Sequence, residues 1–240
     1  MQEIRRDGGR CVTGIEDLDK ILDGGIPIGN MVLVEGSCGT GKTTLAFEFL
    51  VRGALIGEKG LLVLTAEPPE KMLSNVPRFV FFDEKMIADG RIQIVQLEEL
   101  EKIAGGALEI DAREKGLRFI QAIGEIIEKN GIKRMVIDSF SSFCNDDKNS
   151  IAKRHVLRKL GSLLYEKRCT AMVVSDGVDE SEEIIADGVI LLSNLERRGD
   201  LLRIMQVIKM KGADHSRSKY VVDLTTCGML ATPLLRGGAL

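Results

Sequence analysis

Met31-Val32-Leu33-Val34-Glu35-Gly36-Ser37-Cys38-Gly39-Thr40-Gly41-Lys42-Thr43-Thr44 is the stretch that decides the fold. An apolar run enters a glycine-rich loop, and the loop enters a helical pattern, Leu45-Ala46-Phe47-Glu48-Phe49-Leu50. Gly36, four residues, then Gly41-Lys42-Thr43 is the spacing of a phosphate loop, in the strand-to-helix context that its mechanics require. The glycines let the backbone turn sharply. Successive N–H groups then point into one concavity at the positive end of the helix dipole, where a triphosphate can sit. Lys42 is placed to reach the β- and γ-phosphates. Thr43 offers its hydroxyl to Mg²⁺, a hard cation that takes oxygen ligands. Gly36, Ser37, Cys38, Gly39, Thr40, Gly41, Lys42, Thr43 and Thr44 are accordingly the candidate nucleotide-binding residues.

Upstream, residues 1–10 read as a flexible polar start. Apolar residues at 15, 18, 21 and 22 predict a short amphipathic helix with Thr13 as its N-cap, ended by Gly24-Gly25. Downstream, residues 43–56 form a helix closed by Gly57. Leu61-Leu62-Val63-Leu64-Thr65, Arg91-Ile92-Gln93-Ile94-Val95, Arg134-Met135-Val136-Ile137-Asp138 and Thr170-Ala171-Met172-Val173-Val174 read as strands; the continuous apolar runs among them mark a parallel sheet buried on both faces. Helices are expected from near Pro69, over 117–130 and over 151–166. Residues 78–90 are ambiguous between strand and helix, and 98–116 reads as a surface loop with a fragment of helix. After Asp187 the strands 188–192, 201–209 and 220–223 follow one another without helices, an antiparallel extension of the sheet. The chain therefore reads as one α/β domain over residues 11–232, a mostly parallel sheet flanked by helices, with a loose tail at 233–240.

Ligands of open α/β sheets lie beyond the carboxyl ends of the strands. Four strands bring a polar group to that edge: the phosphate loop, Glu67, Asp138, and Ser175 with Asp176. Asp138 fits the acidic residue that holds Mg²⁺ through its water shell, and Glu67 is a candidate to orient and polarise an attacking water. An acidic residue beside a helix N-terminus is also favoured by the dipole alone, so Glu67 keeps both readings. Ser175 and Asp176 are candidates to sense the γ-phosphate or to bind the catalytic water, or are plain loop residues. Lys209 and Lys211 lie two apart on a late strand and point the same way; they are either reaching cations or charges that guard a sheet edge.

Composition narrows the partners. The net charge of −3 provides no global basic field, and 4 % aromatic content without Trp leaves few stacking platforms for bases. DNA is disfavoured. Five scattered cysteines without a Cys-x-x-Cys pair argue for reduced thiols and a cytoplasmic setting, and no stretch approaches a membrane span.

The chain resembles the RecA superfamily and, within it, the KaiC-like ATPases of archaea and cyanobacteria. The matching segments are Thr13-Gly14-Ile15-Glu16-Asp17-Leu18-Asp19 with Gly24-Gly25-Ile26-Pro27, the phosphate loop, Thr65-Ala66-Glu67, Val136-Ile137-Asp138-Ser139, and Ile208-Lys209-Met210-Lys211-Gly212 with His215. The resemblance implies a RecA-like fold and a homohexameric ring with ATP and Mg²⁺ between neighbouring subunits. It also implies that Lys209 and Lys211 reach the neighbour's γ-phosphate, Lys211 standing where the family usually has Arg. Glu67 retains the second of two glutamates common there, and slow ATP hydrolysis follows. In RecA-like recombinases the loop after the Ser175-type strand binds DNA. Here it reads Gly177-Val178-Asp179-Glu180-Ser181-Glu182-Glu183, whose carboxylates would repel a phosphate backbone, so a regulatory ATPase signalling to a protein partner is favoured over a recombinase paralogue or a binding module without turnover.

Overall fold

The computed structural model describes residues 9–75, 79–103, 112–140, 150–175, 177, 180–197 and 199–234. The strands in chain order are β1 (Arg10–Cys11), β2 (Ile26–Pro27), β3 (Met31–Gly36), β4 (Gly60–Leu64), β5 (Ile92–Gln96), β6 (Arg134–Asp138), β7 (Thr170–Val174), β8 (Gly188–Arg197), β9 (Asp200–Met210), β10 (Lys219–Thr225) and β11 (Gly228–Pro233). The helices are α1 (Glu16–Ile21), α2 (Lys42–Leu55), α3 (Pro69–Asn75), α4 (Lys85–Ala88), α5 (Leu97–Ile103), α6 (Ala112–Asn130), α7 (Ser150–Lys167) and α8 (Glu180–Glu183).

Nine strands form one sheet in the order β11-β10-β9-β8-β3-β7-β6-β4-β5, while β1 and β2 pair separately. From β8 to β5 the pairings are parallel, and β9 to β11 are added antiparallel. The period-2 alternation of each central strand divides the core in two. Val32, Val34, Leu62, Leu64, Val136 and Met172 pack on one face with α1 and α2; Met31, Leu33, Leu61, Val63, Met135 and Ile137 pack on the other with α6 and α7. α2 is buried nearly all round, so the helix after the phosphate loop is a core element.

Several local expectations change. Thr13 is not the N-cap of α1; Ile15 is. Gly14 turns the chain at φ 81, and the Asp19 carboxylate, from inside the helix, accepts hydrogen bonds from Thr13 N, Thr13 Oγ1 and Gly14 N at 2.7–3.0 Å. Phe79–Phe82 is neither strand nor helix: Phe79 stacks on Phe81 and Phe82 meets Phe47 edge-on. α6 begins at Ala112 rather than 117, because its first turn is polar and escapes apolar periodicity. β8 and β9 extend toward one another beyond the expected ends, and β11 was not anticipated; Arg10 and Pro233, assigned to loose ends, pair with Pro27 and Tyr220. Gly9 and Leu234 are likewise hydrogen-bonded, to Ile28 and Lys219, and residues 1–8 and 235–240 of the expected tails lie outside the described residues.

Two buried charge clusters tie the elements together. Glu48 of α2, fully buried, accepts Met229 N of β11 at 2.7 Å and pairs with Arg52 at 3.0 Å. Arg52 in turn donates to the Cys227 carbonyl and lies over the Phe81 ring. Burial pushes the Glu48 carboxyl above its usual range, partly offset by the Met229 N–H and Arg52. Arg134, the first residue of β6, is also fully buried. Its guanidinium donates to Glu58 Oε2 at 2.6 Å and to the carbonyls of Val12, Thr13 and Phe49, stitching the N-terminal turn, α2 and the sheet into one network. Gly53 makes room for it, since a Cβ there would overlap Arg134 Cδ.

Candidate functional site

The phosphate loop leaves β3 at Gly36 and enters α2 at Lys42. Gly36 has no alternative residue, because a Cβ would collide with the Leu192 carbonyl oxygen on the adjoining β8. Gly41 is the N-cap of α2 in the left-handed region at φ 99, which lets the loop close without a side-chain cap. Thr40 Oγ1 donates to the Ser37 carbonyl at 2.9 Å and so fixes the curl of the loop. Lys42 folds back over it, its Nζ donating to the carbonyls of Gly36 at 2.6 Å and Ser37 at 3.0 Å. The ammonium is thereby held on the loop, where a phosphate chain would run.

A cavity of about 480 Å³ opens above the loop, lined by Cys38, Gly39, Gly41, Lys42, Thr43, Thr44, Asp138, Val174 and Leu224. Strand register explains the convergence. Val34 pairs with Val174, Val174 with Asp138, and Asp138 with Leu64, so these carboxyl-end positions lie level across four strands. Thr43 and Asp138 thus bring two oxygen-bearing side chains to one cavity, a donor set suited to a hard divalent cation.

The other sequence-derived candidates are placed differently. Glu67 follows β4, the third strand from the loop in sheet order; it stands at the same edge but outside the cavity lining, with Lys71 at 3.8 Å from its carboxylate. Ser175 is buried, its N–H donating to the Val34 carbonyl, and the cavity wall is formed by its neighbour Val174. Asp176 lies outside the described residues. Lys209 and Lys211 are at the opposite, amino-terminal edge: Met210 pairs with Gly188, whereas the loop residue Gly36 pairs with Leu192. Four strand residues separate those levels, roughly 13 Å. Both ammoniums do point the same way, toward one segment: Lys209 donates to the Glu183 carbonyl at 2.6 Å, and Lys211 to the Ile185 carbonyl and to Asp187. Burial, with Lys211 nearby, lowers the Lys209 pKa. Neither lysine can serve the phosphate loop of its own chain.

The acidic stretch expected as a loop is in part the helix α8, and Glu182 there is buried against Lys153, so its charge is neutralised.

Three contacts at the site carry no sequence signal. Arg203 of β9 donates from Nε to the Gly39 carbonyl at 3.4 Å across 164 positions of sequence. Leu224 of β10 packs over Gly41. Thr65 donates from Oγ1 to the Ser139 carbonyl and accepts from Ser139 N, both at 2.8 Å, while its own N–H donates to the Asp138 carbonyl; it clips β4 to β6 beside Asp138. All three depend on the pairing of distant strands, which no local pattern reveals.

This nucleotide-loop geometry on a mixed sheet defines a RecA-type nucleotide-binding fold. A family profile described as "ATPase: KaiC" matches residues 11–234. The circadian clock protein KaiC2 of Synechocystis is 32 % identical over 94 % of this chain, which spans about two-fifths of that protein's length. A UPF0273 protein of Pyrococcus horikoshii is 33 % identical, with 93 % of this chain and 94 % of the relative covered. The crystal structure of a KaiC-like protein from the same archaeon superposes with a TM-score of 0.79 at 30 % identity, covering 94 % of this chain and 99 % of that one. The chain belongs to the KaiC ATPase family.

Proposed function

We propose that this chain binds ATP with Mg²⁺ at the loop Gly36–Thr44 and hydrolyses it slowly, as one subunit of a homo-oligomeric, hexameric ring whose nucleotide state is signalled to a protein partner. The observation that carries this reading is the shared cavity of the phosphate loop, Thr43 and Asp138. The loop N–H groups and Lys42 bind and orient the phosphates; Thr43 and Asp138 would hold the cation, which would supply charge neutralisation to the phosphate oxygens. Glu67 orients the attacking water and, as general base, takes its proton, while the water oxygen bonds to the γ-phosphorus, the bond from that phosphorus to the ADP oxygen breaks, and ADP and orthophosphate leave. Arg203, held on the Gly39 carbonyl, and Leu224 border the path of the nucleotide.

If Lys209 and Lys211 act on ATP, their position requires that they do so in trans, at the loop of a neighbouring subunit. Cations that stand at the far edge from their own loop are useful to a loop only in another copy. In that reading Lys209 exchanges the Glu183 carbonyl for the neighbour's γ-phosphate.

Light-scattering mass tests the assembly. With Mg²⁺ and a non-hydrolysable ATP analogue a large discrete species is expected, one that Lys209→Ala weakens. A monomer both with and without nucleotide would remove the role in trans of the two lysines and leave a simple binding module.

A further inference from the structure

The amino-terminal edge of the sheet holds a second cavity, about 350 Å³, away from the phosphate loop. Its wall includes Cys11 of β1, Gly57 and Glu58 after α2, Lys133 before β6, and Arg168 and Thr170 around the start of β7. Arg134 and Thr170, the first residues of β6 and β7, are paired, which places this cavity at the end of the strands opposite to Asp138.

Arg168 occupies an unusual position. α2, α6 and α7 all end with the same backbone closure: Glu58 N donates to the Gly53 carbonyl, Ile132 N to Ile127 and Cys169 N to Leu164. The residue that turns the chain is Gly57 at φ 87, Gly131 at φ 68, and Arg168 at φ 52. That left-handed conformation favours glycine, and among the described residues Arg168 is, with Asp23, one of two non-glycine residues that adopt it. Here it carries a guanidinium to the cavity, one nitrogen lying beside Gly9.

The charge balance of the cavity is positive. Glu58 is engaged by the buried Arg134 at 2.6 Å, and burial pushes the Cys11 thiol up to about 11, so it is neutral near pH 7. The adjacent Lys167 pairs with Glu128 and Glu166, whereas among the described residues neither Lys133 nor Arg168 has an ion-pair or hydrogen-bond partner for its side chain. We propose that Lys133 and Arg168 form a binding site for the phosphate or diphosphate group of a small molecule, separate from the nucleotide loop. The planar guanidinium offers two parallel donors to an anionic oxygen pair, and the lysine adds a point charge.

The test is calorimetry in a Lys42→Ala background, which weakens phosphate binding at the loop, with inorganic diphosphate and ribose 5-phosphate as probes at low salt. Binding is expected, and Arg168→Gly or Lys133→Gln added to Lys42→Ala should weaken it at least about tenfold, a loss of one charge-assisted contact. Tighter binding of diphosphate points to a free anion, tighter binding of ribose 5-phosphate to a phosphate ester. In the otherwise wild-type chain, Arg168→Gly should leave affinity for an ATP analogue unchanged and melt at the same or a higher temperature, because glycine suits φ 52. No binding to the Lys42→Ala protein, or equal binding with and without Arg168→Gly, would overturn the site without touching the nucleotide reading. Loss of ATP-analogue binding in wild type would overturn the nucleotide reading without touching this one.

Discussion

Replacing Lys42 with alanine is expected to lower affinity for ATP by about a hundredfold and to take turnover below detection. A hydrogen bond to a charged group contributes roughly 1.5–3 kcal/mol, and every 1.4 kcal/mol is a factor of ten. Lys42 would make such contacts to two phosphates. Its ammonium also ties Gly36 and Ser37 carbonyls together, so its loss frees the loop that presents the N–H groups. Titration with a fluorescent ATP analogue measures the first effect. The fold should survive, since Lys42 stands at the first residue of α2 and the apolar contacts of that helix remain. Unchanged affinity in a folded variant would place the nucleotide elsewhere.

The largest effect on stability is expected at Arg134. Substitution by methionine keeps much of the length but leaves Glu58 Oε2 and the carbonyls of Val12, Thr13 and Phe49 without their donor. A buried carbonyl left without its donor costs about 1–3 kcal/mol, so the three together should cost about 3–5 kcal/mol. For a chain of this size that is a fall in melting temperature of about 10 °C. Calorimetric melting of Arg134→Met against the parent protein measures it, and a change within 2 °C or so would show that the network is dispensable. Glu58 is partly exposed and can regain water, so the three carbonyls should account for most of the loss.

The difference between these two residues shows what a sequence can and cannot reveal. Lys42 announces itself, because the chemistry of a phosphate loop is written in consecutive residues flanked by a strand and a helix. Asp138 is nearly as legible, as a carboxylate ending an apolar run. The central strands were visible for the same reason: burial on both faces demands unbroken apolar residues, and β4, β6 and β7 supply them. Arg134 reads as an ordinary polar strand start, and nothing local says that its guanidinium reaches carbonyls more than 80 positions away. The same holds for Arg203, whose contact with the loop exists only because β8 and β9 join the sheet next to β3. β11 carries little local signal, because its residues Gly228-Met229-Leu230-Ala231-Thr232-Pro233 lack a strong strand composition and its place is fixed by pairing with β10.

Electrostatics was the least legible level. Counting four carboxylates after β7 describes a repulsive loop, but folding turns one of them, Glu182, inward against Lys153. Charge that is paired on folding no longer reports on the partner.

Magnesium-dependent release of phosphate from ATP, compared between the wild-type chain and Glu67→Gln at concentrations that favour assembly, bears most directly on the proposed ATPase. Loss of a positioned general base should slow turnover by about 10²–10⁴, while analogue binding persists, since Glu67 stands outside the cavity that would hold the phosphates. Turnover that survives Glu67→Gln unchanged, or that proceeds equally without Mg²⁺, would contradict the account.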